Sequence, residues 1–121
     1  MPQALKILIV EDEYLFALDL KMQLGRMGYT ICDLVASGEK AIEAVQKYAP
    51  DVVLMDMTLA GQLSGFEAAS AILASQKTQV IFMTGHNDDE TIDQLKQLNP
   101  LAILTKPITA RAVHNSMSSG Q

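Results

Sequence analysis

Four short apolar runs in this 121-residue chain each end on a polar signal. KILIV runs into Glu11-Asp12-Glu13, and DVVLM into Asp56. QVIFM runs into Thr84-Gly85, and LAIL runs through Thr105 into Lys106-Pro107. Short runs rich in Val, Ile and Leu read as strands buried on both faces, the pattern of a parallel sheet. Parallel strands of one open sheet end on the same edge, and α/β sheets bind ligands at that carboxyl edge. Carboxylates, a hydroxyl and an ammonium far apart in sequence are therefore expected to converge on one small site.

Helical patterns alternate with these runs. The expected strands are 6–10, 30–36, 51–57, 79–83 and 101–104, and the expected helices are 13–27, 38–49, 66–75, 87–98 and 109–117. In the first helix Leu15, Leu18, Leu20, Met22, Leu24 and Met27 form a broad apolar stripe opposite Asp19, Gln23 and Arg26. Gly28 reads as its terminator, and Pro50 closes the second helix. The fourth helix has the thinnest apolar face, with only Ile92, Leu95 and Leu98 directed inward. Strand and helix in alternation predict an α/β fold, a doubly wound five-stranded parallel sheet with five helices and right-handed crossovers. No linker or repeat interrupts the pattern, so 1–121 reads as one domain with no output domain in view.

Composition narrows the function classes. The net charge of −5 argues against nucleic acid as a direct partner, because phosphate backbones call for clustered Lys and Arg. The single cysteine, Cys32, permits no internal disulfide, and no apolar run is long enough for a signal or a membrane span. These readings predict a cytoplasmic protein without a membrane partner.

The strand ends then carry the chemistry. Glu11, Asp12 and Asp56 on one edge would repel one another unless a proton or a cation sits among them. Oxygen ligands with no nearby His or Cys favour a hard cation, Mg²⁺ or Mn²⁺. A divalent cation neutralises phosphate oxygens and lets a carboxylate act as nucleophile. With the Thr84 hydroxyl and the Lys106 ammonium, the set matches what an aspartyl phosphate needs.

On these residues, in this order, the chain resembles the receiver domain of two-component response regulators over its whole length. The resemblance implies a flavodoxin-like sheet with strand order 2-1-3-4-5. It implies Asp56 as phosphoacceptor, and Glu11, Asp12, Asp56 and the Thr58 backbone carbonyl as Mg²⁺ ligands. It implies Thr84 as switch hydroxyl, Lys106 as phosphate contact, and Gly85 as a small residue admitting the phosphoryl group. Thr58 and His86 would flank the path of the water that dephosphorylates Asp56, with His86 the main shield. The Lys106–Pro107 peptide is expected to be cis. The donor would be a histidine kinase or phosphotransfer protein. The target would be an unidentified protein meeting helix four, strand five and helix five. Catalysis would be confined to phosphoryl transfer to, and hydrolysis from, the chain's own Asp56.

Three positions depart from the usual pattern. Glu11 replaces the first Asp of the acidic pair, Ala60-Gly61 stands where a proline often follows the acceptor, and Ile103 occupies a readout position that is usually aromatic. Ile is stiff at χ1 and has no hydroxyl, so Ile103 is expected to stay mostly buried, with the signal passing through helix four instead. Other functions fit less well. An aspartyl-phosphate phosphatase wants an acid two residues past the nucleophile, where this chain has Thr58. A flavin binder wants a Ser/Thr/Gly-rich loop after strand one, where Glu11-Asp12-Glu13 would repel phosphate. A scaffold that takes no phosphate would not need the complete acidic and Thr/Lys set.

Overall fold

In a computed structural model, which describes residues 4–59, 61–85 and 88–119, the elements alternate from end to end. They are β1 (Lys6–Val10), α1 (Tyr14–Arg26), β2 (Thr30–Val35), α2 (Gly38–Tyr48), β3 (Val52–Asp56), α3 (Gly65–Ser75), β4 (Gln79–Thr84), α4 (Asp89–Lys96), β5 (Ala102–Thr105) and α5 (Ala110–Ser119). The five strands form one sheet in the order β2-β1-β3-β4-β5, all neighbours parallel. The expected architecture and strand order hold, and element ends differ by only a residue or two.

The apolar runs behave as their composition requires. β3 is buried from Val52 to Asp56, and β1 and β4 are buried beyond their first residue. Alternate residues feed two cores. Ile7, Ile9, Leu54, Ile81 and Met83 pack with Ala17, Leu20 and Leu24 of α1 and Val113 of α5. Leu8, Val10, Val53, Met55 and Phe82 pack with α2, α3 and Leu95 of α4. Each fully buried Leu or Ile contributes about 1.5–3 kcal/mol. The outer strands β2 and β5 are half-buried, as edges should be.

Two expectations about burial need correction. The α1 stripe is narrower than its sequence suggested: Ala17, Leu20 and Leu24 face the core, whereas Leu15 is 79% exposed and Met22 and Met27 are also exposed. Ile103 is only half-buried, because β5 is the sheet edge and leaves one flank open. The α4 expectation holds, with Leu95 its one buried residue. The start of that helix differs: Asp88 is the N-cap, accepting the Thr91 N–H, and the expected first residue Asn87 lies outside the described residues. Gly28 does end α1, at a φ of +102°. Ala49, not Pro50, makes the left-handed turn that ends α2.

Candidate functional site

β1 delivers Glu11 and Asp12 just past its end, and the two differ in burial. Glu11 is buried and Asp12 is exposed. Glu11 Oε1 accepts the N–H of Glu13 at 3.0 Å, which holds the carboxylate over the sheet edge. β3 delivers Asp56, 1% exposed, as its last residue. One carboxylate oxygen from each of Glu11, Asp12 and Asp56 lies within 4.8 Å of the others.

Lys106 faces this acidic cluster from the end of β5. Its backbone N–H donates to the Thr84 carbonyl at 2.8 Å, and the Lys106–Pro107 peptide is cis. Its ammonium donates to Asp56 Oδ2 at 3.1 Å and lies 3.8 Å from Glu11 Oε2. The other Asp56 oxygen accepts the Thr58 N–H at 3.0 Å. Thr84 is fully buried at the end of β4, one strand from Asp56. Gly85 beside it is exposed, and among the described residues, its chain neighbours apart, a Cβ there would meet no atom within 4 Å. A cleft of about 410 Å³ is lined by Glu13, Phe16, Lys106, Pro107 and Ile108.

The charges do not balance. Three carboxylates meet one ammonium, and Glu11 Oε2 is buried without a hydrogen-bond partner. Burial first, and then the proton it would share with Asp56, push the Glu11 carboxyl from 4.5 up to about 8. Burial works against the Lys106 ammonium, but the hydrogen bond to Asp56 and the charges of Asp56 and Glu11 hold its pKa above the ordinary value. A divalent cation fits this donor set. It would give the orphaned oxygen a partner, and the donors are oxygens with no soft ligand among them.

The structure therefore brings Glu11, Asp12, Asp56, Thr58, Thr84, Gly85 and Lys106 to one edge. Ile103 sits two residues before Thr105 on β5, paired with Phe82 of β4 rather than with a residue of the cluster. His86 lies outside the described residues. The sequence reading gave no role to Gly65, which closes the loop after Asp56: a Cβ there would stand 2.2 Å from the Asp56 carbonyl oxygen. The signal was the Ser64-Gly65 step before an apolar helix, where Ser64 and Glu67 form a capping box.

Residues 7–118 match the family model for the response regulator receiver domain. Sporulation initiation phosphotransferase F of Bacillus subtilis is 30% identical over 113 residues, covering 93% of this chain and 90% of that protein. The transcriptional regulatory protein PdtaR of Mycobacterium tuberculosis is 29% identical over 104 residues, 86% of this chain, and the match spans only 50% of PdtaR. Among solved structures, the receiver domain of a modulated diguanylate cyclase from Desulfovibrio desulfuricans superposes with a TM-score of 0.88 at 35% identity, covering 98% of this chain and 94% of that one. Sheet order, converging strand ends and family match agree: the chain belongs to the response regulator receiver domains, signalling modules whose general role is phosphorylation-dependent switching.

Proposed function

We propose that this chain is a switch that takes a phosphoryl group on Asp56 from a histidine kinase or phosphotransfer protein and thereby changes its affinity for a protein target. The observation that carries the reading is the buried Asp56 carboxylate, held by the Lys106 ammonium at 3.1 Å with two further carboxylates within reach of one cation. Glu11, Asp12, Asp56 and the Thr58 carbonyl would hold Mg²⁺, or Mn²⁺ in its place. Bound there, the ion supplies charge neutralisation for the incoming phosphoryl oxygens.

The chain's own groups do the rest. An Asp56 oxygen attacks phosphorus, the P–N bond to the donor imidazole breaks, and the electron pair leaves with the imidazole. Lys106 exchanges its hydrogen bond from the carboxylate to a phosphoryl oxygen, and Thr84 donates its hydroxyl to another. Two charge-assisted bonds at about 1.5–3 kcal/mol each match the roughly 5.5 kcal/mol needed to invert a two-state equilibrium. Thr58, exposed beside Asp56, and His86 would tune hydrolysis. Exposed Tyr14 and Leu15 follow the acidic run and offer a donor an apolar rim.

The responsive surface is α4, β5 and α5. α4 is short, holds one buried residue, and borders a groove of about 580 Å³ lined by Ile92, Lys96, Asn99, Pro100, Ala102 and Ile103. A helix so lightly anchored is the element most easily shifted. We place this function in the cytoplasm; among the described residues no helix is long and apolar enough to cross a membrane. The test is incubation with a small phosphodonor and Mg²⁺, followed by intact mass. The wild type gains a phosphoryl adduct and Asp56→Asn gains none while keeping its far-ultraviolet circular dichroism. An adduct of equal yield on the Asn variant sinks the assignment.

A further inference from the structure

We propose that Glu39, on the first turn of α2, is a positioning residue for the loop between β3 and α3 and so sets the divalent-cation affinity of the site. The inference rests on the receiver reading, in which that loop carries the Thr58 carbonyl.

The loop is fastened at both ends. At its start the Met57 N–H donates to the Met83 carbonyl and the Thr58 N–H to Asp56 Oδ1, each at 3.0 Å. At its finish the Ser64–Glu67 capping box and the tight approach of Gly65 to the Asp56 carbonyl fix the entry into α3. Between these points the chain has no proline to stiffen it, and Gly61 takes a φ of +97°, a conformation that costs glycine little.

Glu39 fastens the middle from a different element. Its Oε2 accepts the Gln62 N–H at 3.2 Å, across 23 residues of sequence. The carboxylate lies against Gly61, where a Cβ would stand 3.0 Å from Oε1 and 3.6 Å from Oε2. The platform beneath Glu39 is rigid. Ser37 caps α2 by accepting the Lys40 N–H, and a Cβ on Gly38 would come within 2.9 Å of Leu63 and 3.0 Å of Ala68. Glu39 is also at a helix N-terminus, where the dipole favours a carboxylate. The strut is exposed, so it contributes little to the stability of the fold. It acts on the loop: a loop already ordered loses less entropy when its carbonyl takes a ligand.

The experiment is calorimetric titration of Mg²⁺ into wild type, Glu39→Ala, Glu39→Gln and Gly61→Ala, with the metal-free unfolding midpoint measured alongside. Loss of one hydrogen bond predicts that Glu39→Ala raises the Mg²⁺ Kd about threefold to tenfold. Glu39→Gln keeps an acceptor without the charge and stays within about twofold of wild type. Gly61→Ala, which drives a Cβ at the strut, weakens binding in the same direction as Glu39→Ala. Amide exchange at Gln62 speeds up in Glu39→Ala. A general loss of stability would not move a Kd measured well below the unfolding midpoint. Wild-type affinity in Glu39→Ala overturns the proposal and leaves the receiver reading intact. Equal weakening in Glu39→Gln also overturns it, since charge rather than position is then responsible. A wild type that binds no Mg²⁺ removes the reading of the site, and this inference with it.

Discussion

The two edges of the one sheet are built on opposite terms. At the amino edge, each charged side chain meets a backbone partner. The Lys6 N–H donates to Asp51 Oδ2 at 2.7 Å, the Lys6 ammonium to the Tyr48 carbonyl at 2.8 Å, and the Asp51 N–H returns to the Lys6 carbonyl at 2.8 Å. Among the described residues, the buried group left without a hydrogen bond there is a neutral hydroxyl, Thr78 Oγ1. At the carboxyl edge, three carboxylates crowd one ammonium, and the buried Glu11 Oε2 accepts no hydrogen bond and has Lys106 only at 3.8 Å. The amino edge holds the strands in register. The carboxyl edge is left short of positive charge, and a cation or a proton relieves it.

The largest break in this comparison comes from pH. Glu11 has its folded-state pKa raised from 4.5 to about 8, so its stabilising contribution is complete below about 4.5 and is lost as pH rises through about 8. Urea midpoints in the presence of a chelator should fall steadily between these limits, and Glu11→Gln should flatten the slope. A wild-type profile that is level, or that matches the Gln variant, removes the claim of stress at this edge. Because binding displaces that proton, Mg²⁺ affinity should rise by up to about tenfold per pH unit below about 8.

The next effect is at the exposed acid. Asp12→Ala should weaken Mg²⁺ binding by at least about tenfold, since ligand charge sets affinity at oxygen sites. It should also raise the metal-free melting temperature slightly, because one repulsive charge leaves the cluster. Titration calorimetry with a melt distinguishes the cases: no change in either would make Asp12 a helix-start charge and nothing more.

The smallest effect sharpens the contrast from the other side. Asp51→Ala removes the acceptor for Lys6 at the amino edge and should cost about 1 kcal/mol of stability. Mg²⁺ affinity should not move. A shift in Kd from this variant would mean that the two edges are coupled through the strands.

The sequence made much of the site legible, for a local reason. A strand end is announced by the residues that form it, so Glu11, Asp12, Asp56, Thr84 and Lys106 could each be placed at a strand end before any packing was known. The loop after Asp56 was less legible. Ala60-Gly61 showed only that a proline was missing. That Glu39, a helix residue in another part of the chain, reaches Gln62 depends on how α2 lies against α3. The shield expected of His86 falls outside the described residues.

The sequence by itself determined the alternation of elements, the parallel sheet and the chemistry gathered on its carboxyl edge, because apolar runs and their polar ends are read residue by residue. Only the tertiary structure decided which acid is buried and which faces water, since Glu11 and Asp12 are sequence neighbours past the end of β1 and only the packing around them tells them apart. It likewise decided that Leu15, Met22 and Met27 stay exposed and that Ile103 is half-covered. Periodicity tells which side chains share a face; how much of that face is covered depends on the neighbours packed against it. Against α1 and at the β5 edge the cover is incomplete.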